Sequence, residues 1–123
     1  MSVLGDVRGI IADALLTETT AQVLTYVPGR IVPPIYIITA DSPYVSSADT
    51  FGQFQCNFSI EIVSPVSAND TNTEALDVLI EDALVALSNE RISFSTVSQP
   101  YGLEANNATY LAASISVSYN TAI

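Results

Sequence analysis

The stretch from Gln53 to Val63 constrains this chain more than any other. Up to Ile62 it alternates without interruption, with Phe54, Cys56, Phe58, Ile60 and Ile62 interleaved by Gln53, Gln55, Asn57, Ser59 and Glu61. A strand sends successive side chains to opposite faces, so the segment predicts a long β-strand with one apolar and one polar face. A helix would scatter the same apolar residues around its circumference. The apolar face needs a cover, and Leu76, Leu79, Ile80, Ala83, Leu84 and Leu87 supply one at i, i+3, i+4, i+7, i+8 and i+11. That spacing predicts an amphipathic helix over 73–89, entered through a turn at Pro65–Asn72 with Thr71 and Glu74 at capping-box separation.

The remaining elements assemble around this unit. Val3, Val7, Ile10, Ile11, Ala14 and Leu15 form a stripe that predicts a first helix from Val3 to Leu16, closed by Thr17-Glu18-Thr19-Thr20. Ala21 to Val27 suits either a helical turn or a short strand. After the Pro28-Gly29 turn, Ile31 to Ile38 reads as a strand whose prolines, Pro33 and Pro34, belong at its start or on an edge. Thr39 to Gly52 lacks periodicity and is expected to be a long loop. Ile92, Phe94 and Thr96 alternate with Ser93 and Ser95 as a further strand, Leu103 to Ala108 reads as a polar loop, and Thr109 to Asn120 alternates again. The expected architecture is a single α+β domain spanning residues 1–123. It has a mostly antiparallel sheet of about four to five strands, with two helices packed on one face.

Composition narrows the function classes. At 123 residues with 49% apolar and 13% charged residues, the chain can bury one core and lacks the signature of disorder. No apolar run approaches the ~20 residues of a membrane span, and the N-terminal residues lack the basic stretch of a signal peptide. Thirteen acids face Arg8, Arg30 and Arg91 with no lysine, for a net charge of −10, so phosphate backbones are repelled rather than bound. There is no histidine, and Cys56, the single cysteine, falls on the apolar side of its strand. Thiolate zinc sites and Cys/His or Ser/His/Asp catalysis are therefore excluded as chemistry of this chain alone. The glycines form no phosphate-cradling loop, and Asp70-x-Asn72-x-Glu74 lacks the glycine of a calcium loop. No catalytic, cofactor-binding or metal-ligating set emerges, and the chain is not expected to be an enzyme. Paired carboxylates acting as acid and base are the one catalytic alternative, and a monomeric binding module is another. Gln55, Asn57 and Ser59 facing Ser114, Ser116 and Ser118 would make an uncharged polar sheet face, suited either to water or to neighbouring subunits.

Taken together, four segments carry a likeness to a known family. They are the Pro-containing apolar strand Arg30-Ile-Val-Pro-Pro-Ile-Tyr-Ile-Ile, the Phe-x-Cys-x-Phe-x-Ile-x-Ile strand of Phe54 to Ile62, the Glu-Ala-Leu-Asp-x-Leu-Ile-x-x-Ala-Leu helix from Glu74 to Leu84, and Tyr-Leu-Ala-Ala-x-Ile-x-Val from Tyr110 to Val117. In order and hydrophobic phrasing the chain resembles the tail terminator (tail completion) proteins of long-tailed bacteriophages. Neck and head-closure proteins share much of the pattern.

The resemblance implies a structural virion protein of the tail or neck, assembled in the host cytoplasm. It would form a homo-oligomeric ring, usually a hexamer, on the head-proximal end of the tail tube. There it would stop tube polymerisation and present a surface to the head-completion or connector protein, with no cofactor and no membrane contact. DNA would pass the lumen without specific binding, past the acids Asp41, Asp49, Asp77, Glu81 and Asp82. Ring closure joins one patch to a different patch on the next copy. Arg30 or Arg91 is expected to meet a neighbour's acid there, and Tyr44, Val45 and Phe51 in the 39–52 segment are expected to dock on a tube or subunit.

Overall fold

The computed structural model describes residues 2–18, 21–26, 29–30, 34–47, 51–64, 70–105 and 108–122. Helix α1 runs from Val3 to Glu18 and α2 from Asp70 to Asn89. The strands are β1 (Gln22–Leu24), β2 (Ile35–Ser47), β3 (Gln53–Val63), β4 (Ser93–Val97), β5 (Tyr101–Ala105) and β6 (Ala108–Ala122). They form one six-stranded sheet in the order β1-β2-β3-β6-β4, with β5 also pairing β6. Only β1 against β2 is parallel. The fold is α+β, as expected, with slightly more strands.

Period-2 alternation decides which face each strand buries. Cys56, Phe58, Ile60 and Ile62 of β3 meet Ala113, Ile115 and Val117 of β6 and Tyr36 and Ile38 of β2 in the main core. Both helices close this core from the same side. Helix α1 contributes Val7, Ile11, Ala14 and Leu15, and α2 contributes Leu76, Ala83, Ala86 and Leu87. Each large side chain buried this way contributes about 1.5–3 kcal/mol. Ser2 caps α1 by accepting the Gly5 N–H at 2.9 Å on its hydroxyl, and Asn89 Nδ2 donates to Glu18 Oε1 at 3.1 Å, tying the two helix ends together. A smaller cluster, Ile35, Ile37, Val63 and Ala112, lies on the opposite face and is flanked by Tyr101, Leu103 and Tyr110.

Register aligns the strands in rows. Thr39, Ser59, Ser116 and Thr96 lie across β2, β3, β6 and β4 on the face away from the helices. The adjoining rows on the helix side are Ile38, Ile60, Ile115, Val97 and Ala40, Phe58, Val117, Phe94.

Three expectations are corrected. The loop foreseen over 39–52 is mostly strand, since β2 continues to Ser47 alongside β3. Its loop-like composition belongs to a bulge. Ala40 pairs with Phe58 and Val45 with Cys56, so Asp41 to Tyr44 stand opposite Asn57 alone. The Ser42–Pro43 peptide in that bulge is cis, and Asn57 Nδ2 donates to the Pro43 carbonyl at 2.7 Å. Of the polar loop foreseen over Leu103–Ala108, Leu103–Ala105 belong instead to β5, which pairs antiparallel with the start of β6. Of the two alternatives left open for Ala21 to Val27, the short strand is the one observed, as β1 over Gln22–Leu24. Helix α2 begins at Asp70, ahead of the start at 73 expected for it.

The α2–β4 corner has a left-handed turn. The Ile92 N–H reaches the Leu87 carbonyl at 2.9 Å and the Arg91 N–H the Ser88 carbonyl at 3.1 Å. Arg91 sits at φ 57°, the position where helix ends favour glycine. Buried Ile92 packs beneath it in the same core as Leu87.

Candidate interface surfaces

Among the described residues no group of three or more His, Cys, Asp or Glu side chains could hold a metal ion. Cys56 is buried, and burial pushes its thiol pKa up, which suits a packing residue rather than a nucleophile. Tyr101 Oη donates to Glu61 Oε2 at 2.8 Å, and burial, followed by that carboxylate, pushes the phenol well above its ordinary range. The pair clamps β5 to β3 across the sheet face away from the helices. Among the described residues no helix is long and apolar enough to cross a membrane.

What the fold offers is surface. The β2–β3 hairpin ends at Phe51 and Gly52, where Gly52 takes φ 85°. Phe51 is 104% exposed, so its ring touches nothing of its own chain that shields it from water. Val45 is exposed on β2, whereas Tyr44 turns inward and meets Phe58 edge-on with ring centroids 5.6 Å apart. Of the three apolar residues expected to dock, Phe51 and Val45 are exposed and Tyr44 is partly buried against the core.

The expected cations are both exposed, Arg30 in the connection between β1 and β2 and Arg91 at the α2–β4 corner. Neither forms an ion pair among the described residues. The acids are not brought onto one surface. Asp77 and Glu81 lie exposed on the outer side of α2, with Asp82 partly covered beside them. Asp41 sits in the β2 bulge and borders a cleft on the opposite face of the sheet. Asp49 lies outside the described residues. Within one copy of the chain, Asp41 and the α2 acids therefore lie on opposite sides of the sheet.

No family model matches the chain, and no curated protein is significantly similar to it. The surfaces must be judged on their own chemistry.

The uncharged polar sheet face is present as expected, and three further details are visible only in the structure. The polar sheet face is an organised network: Gln55 Nε2 donates to Asn57 Oδ1 at 3.1 Å and to Ser118 Oγ at 3.4 Å, and Ser118 Oγ donates to Asn57 Oδ1 at 3.1 Å. It floors the cleft of ≈ 490 Å³ that Asp41, Ser46, Ser95 and Ser116 also line. Phe94 is 42% exposed on β4, although its row neighbours Phe58 and Val117 are buried. Val78 and Val85, two helical turns apart, are half-exposed on the acidic side of α2. Alternation marks these residues as strand or helix, but only the sheet order reveals which of them lie at an edge.

Proposed function

We propose that this chain is a structural subunit of a homo-oligomeric ring and acts as a tail terminator of a long-tailed phage. In that role it would cap the head-proximal end of the tail tube and join it to the head. The observation that carries the proposal is Phe51, a large apolar ring held fully in water in the connection between β2 and β3. Burying such a ring against a tube or a neighbouring subunit gains about 1.5–3 kcal/mol per copy, multiplied around a ring. The resemblance in hydrophobic phrasing supports the same role.

In this reading the hairpin reaches the tube protein, Asp77, Glu81 and Asp82 on α2 are the lumen-facing acids, and Asp41 lies at a joint between subunits. Other head–tail interface positions, such as head closure, use the same kind of ring. A monomeric binding module is the reading favoured by the polar cleft beside Gln55 and Asn57.

Tube polymerisation tests the role. Tail tube protein assembling in the presence of this chain should give shorter tubes, each capped at one end, and Phe51→Ser should lose the effect. Unchanged tube lengths with no cap would reject the terminator assignment.

A further inference from the structure

The sheet has two open edges of complementary character. Strand β1 pairs β2 only at Ile35–Ile37, leaving the outer edge of Ile38 to Ser47 without a strand partner among the described residues. At the other side, β4 pairs β6 by one edge, and its outer edge has no strand partner among the described residues. Strands alternate in direction from β2 through β3 and β6 to β4, so β4 runs antiparallel to β2. A second copy placed with β4 beside β2 therefore continues the antiparallel sheet, and this contact joins two different patches, as a closed ring requires.

The rows match as well as the directions. If they continue across the joint, Thr96 of the neighbouring copy meets Thr39, Phe94 meets Ala40, and Val97 meets Ile38. Each side chain then falls on the face that suits it, which a slip of one residue would reverse. The half-exposed Phe94 gains cover next to exposed Ala40. Arg91 precedes β4 on the side toward which β2 leads into Asp41, so a cation arrives at an acid. Arg91 occupies a left-handed position at φ 57°, a conformation that strains an L-residue and not glycine. Such strain is retained where the side chain has a use. The bulges at Asp41–Tyr44 and around Ser95 blunt both edges against indiscriminate pairing and leave one short matched register.

We propose that copies of this chain join edge to edge, β4 of one adding antiparallel to the Ile38–Asp41 edge of β2 in the next, with Arg91 against Asp41. The inference rests on the proposed self-assembly and names the surfaces that make it.

Two experiments on the full chain test it. Directly opposed antiparallel residues have Cβ atoms about 4.5–5.5 Å apart, close enough for a disulfide after small adjustment. A variant carrying both Thr39→Cys and Thr96→Cys should give a ladder of covalent oligomers on oxidation, while either single variant should not. Separately, Arg91→Asp and Asp41→Arg should each raise the concentration for half-assembly about tenfold or more, since like charges meet. The double reversal should bring it back to within about threefold of the wild type, a rescue that a folding defect would not show. Rings visible by negative stain without a ladder and without rescue would overturn the edge pairing while leaving the ring intact. A protein that stays monomeric at every concentration, alone and with tubes, would overturn both.

Discussion

Tyr36 Oη donates a 2.6 Å hydrogen bond to the backbone carbonyl of Leu79, joining the second strand to the second helix. The phenol is fully buried and crosses the core to reach a helix carbonyl. Beyond packing, this bond sets the position of α2 along the sheet, because hydrogen bonds are directional where apolar contacts are not. Tyr36→Phe should cost about 0.5–1.5 kcal/mol, measured as a shift in urea midpoint with unchanged slope. An unchanged midpoint would mean the bond is immaterial to stability.

The Arg91 turn makes an opposite prediction for folding and for assembly. Arg91→Gly relieves the left-handed backbone and should stabilise the monomer by about 0.5–1 kcal/mol, after allowing for the greater freedom of glycine in the unfolded chain. The same substitution removes the cation and should weaken self-association. A variant that is less stable as a monomer would show that the side chain serves the fold instead.

Phe51→Ser removes an apolar ring that the monomer does not bury. Its melting temperature should stay within the range of neutral surface changes, about ±0.5 kcal/mol in stability, while tube capping is lost. A collapse in stability would mean that the hairpin tip packs against the domain.

The Tyr101–Glu61 clamp predicts an alkaline limit. The folded-state pKa of Tyr101 is raised, first by burial and then by Glu61. Its contribution is therefore full below the ordinary tyrosine value of about 10 and is lost as pH rises from there toward the folded-state value, because the unfolded chain releases the proton first. Melting temperatures followed from pH 8 to pH 11 should fall more steeply for the wild type than for Tyr101→Phe. Parallel curves would show that the phenol titrates alike in both states.

Much of this architecture is legible in the residues. The alternation from Gln53 to Val63 marks β3 to its ends, and the apolar spacing from Leu76 to Leu87 marks the buried side of α2. These patterns are local, since each side chain's face follows from its number. The β2 bulge was not legible, because Asp41, Ser42 and Pro43 carry loop chemistry whether or not a neighbouring strand holds them. Strand β5 was missed for a related reason. Tyr101 and Leu103 are in place only because the beginning of β6 folds back to pair with them. Surface relationships were the least visible. Asp41 and Asp77 look alike as acids, yet they belong to opposite sides of the sheet, and Phe94 is recognisable as an edge residue only once β4 is known to end the strand order.

The measurement that tests the central claim most directly is negative-stain microscopy of the purified protein at high concentration, alone and mixed with tail tubes. The account predicts closed rings of uniform diameter, free or seated at one end of each tube. Monomeric particles under both conditions, with bare tube ends, would contradict it.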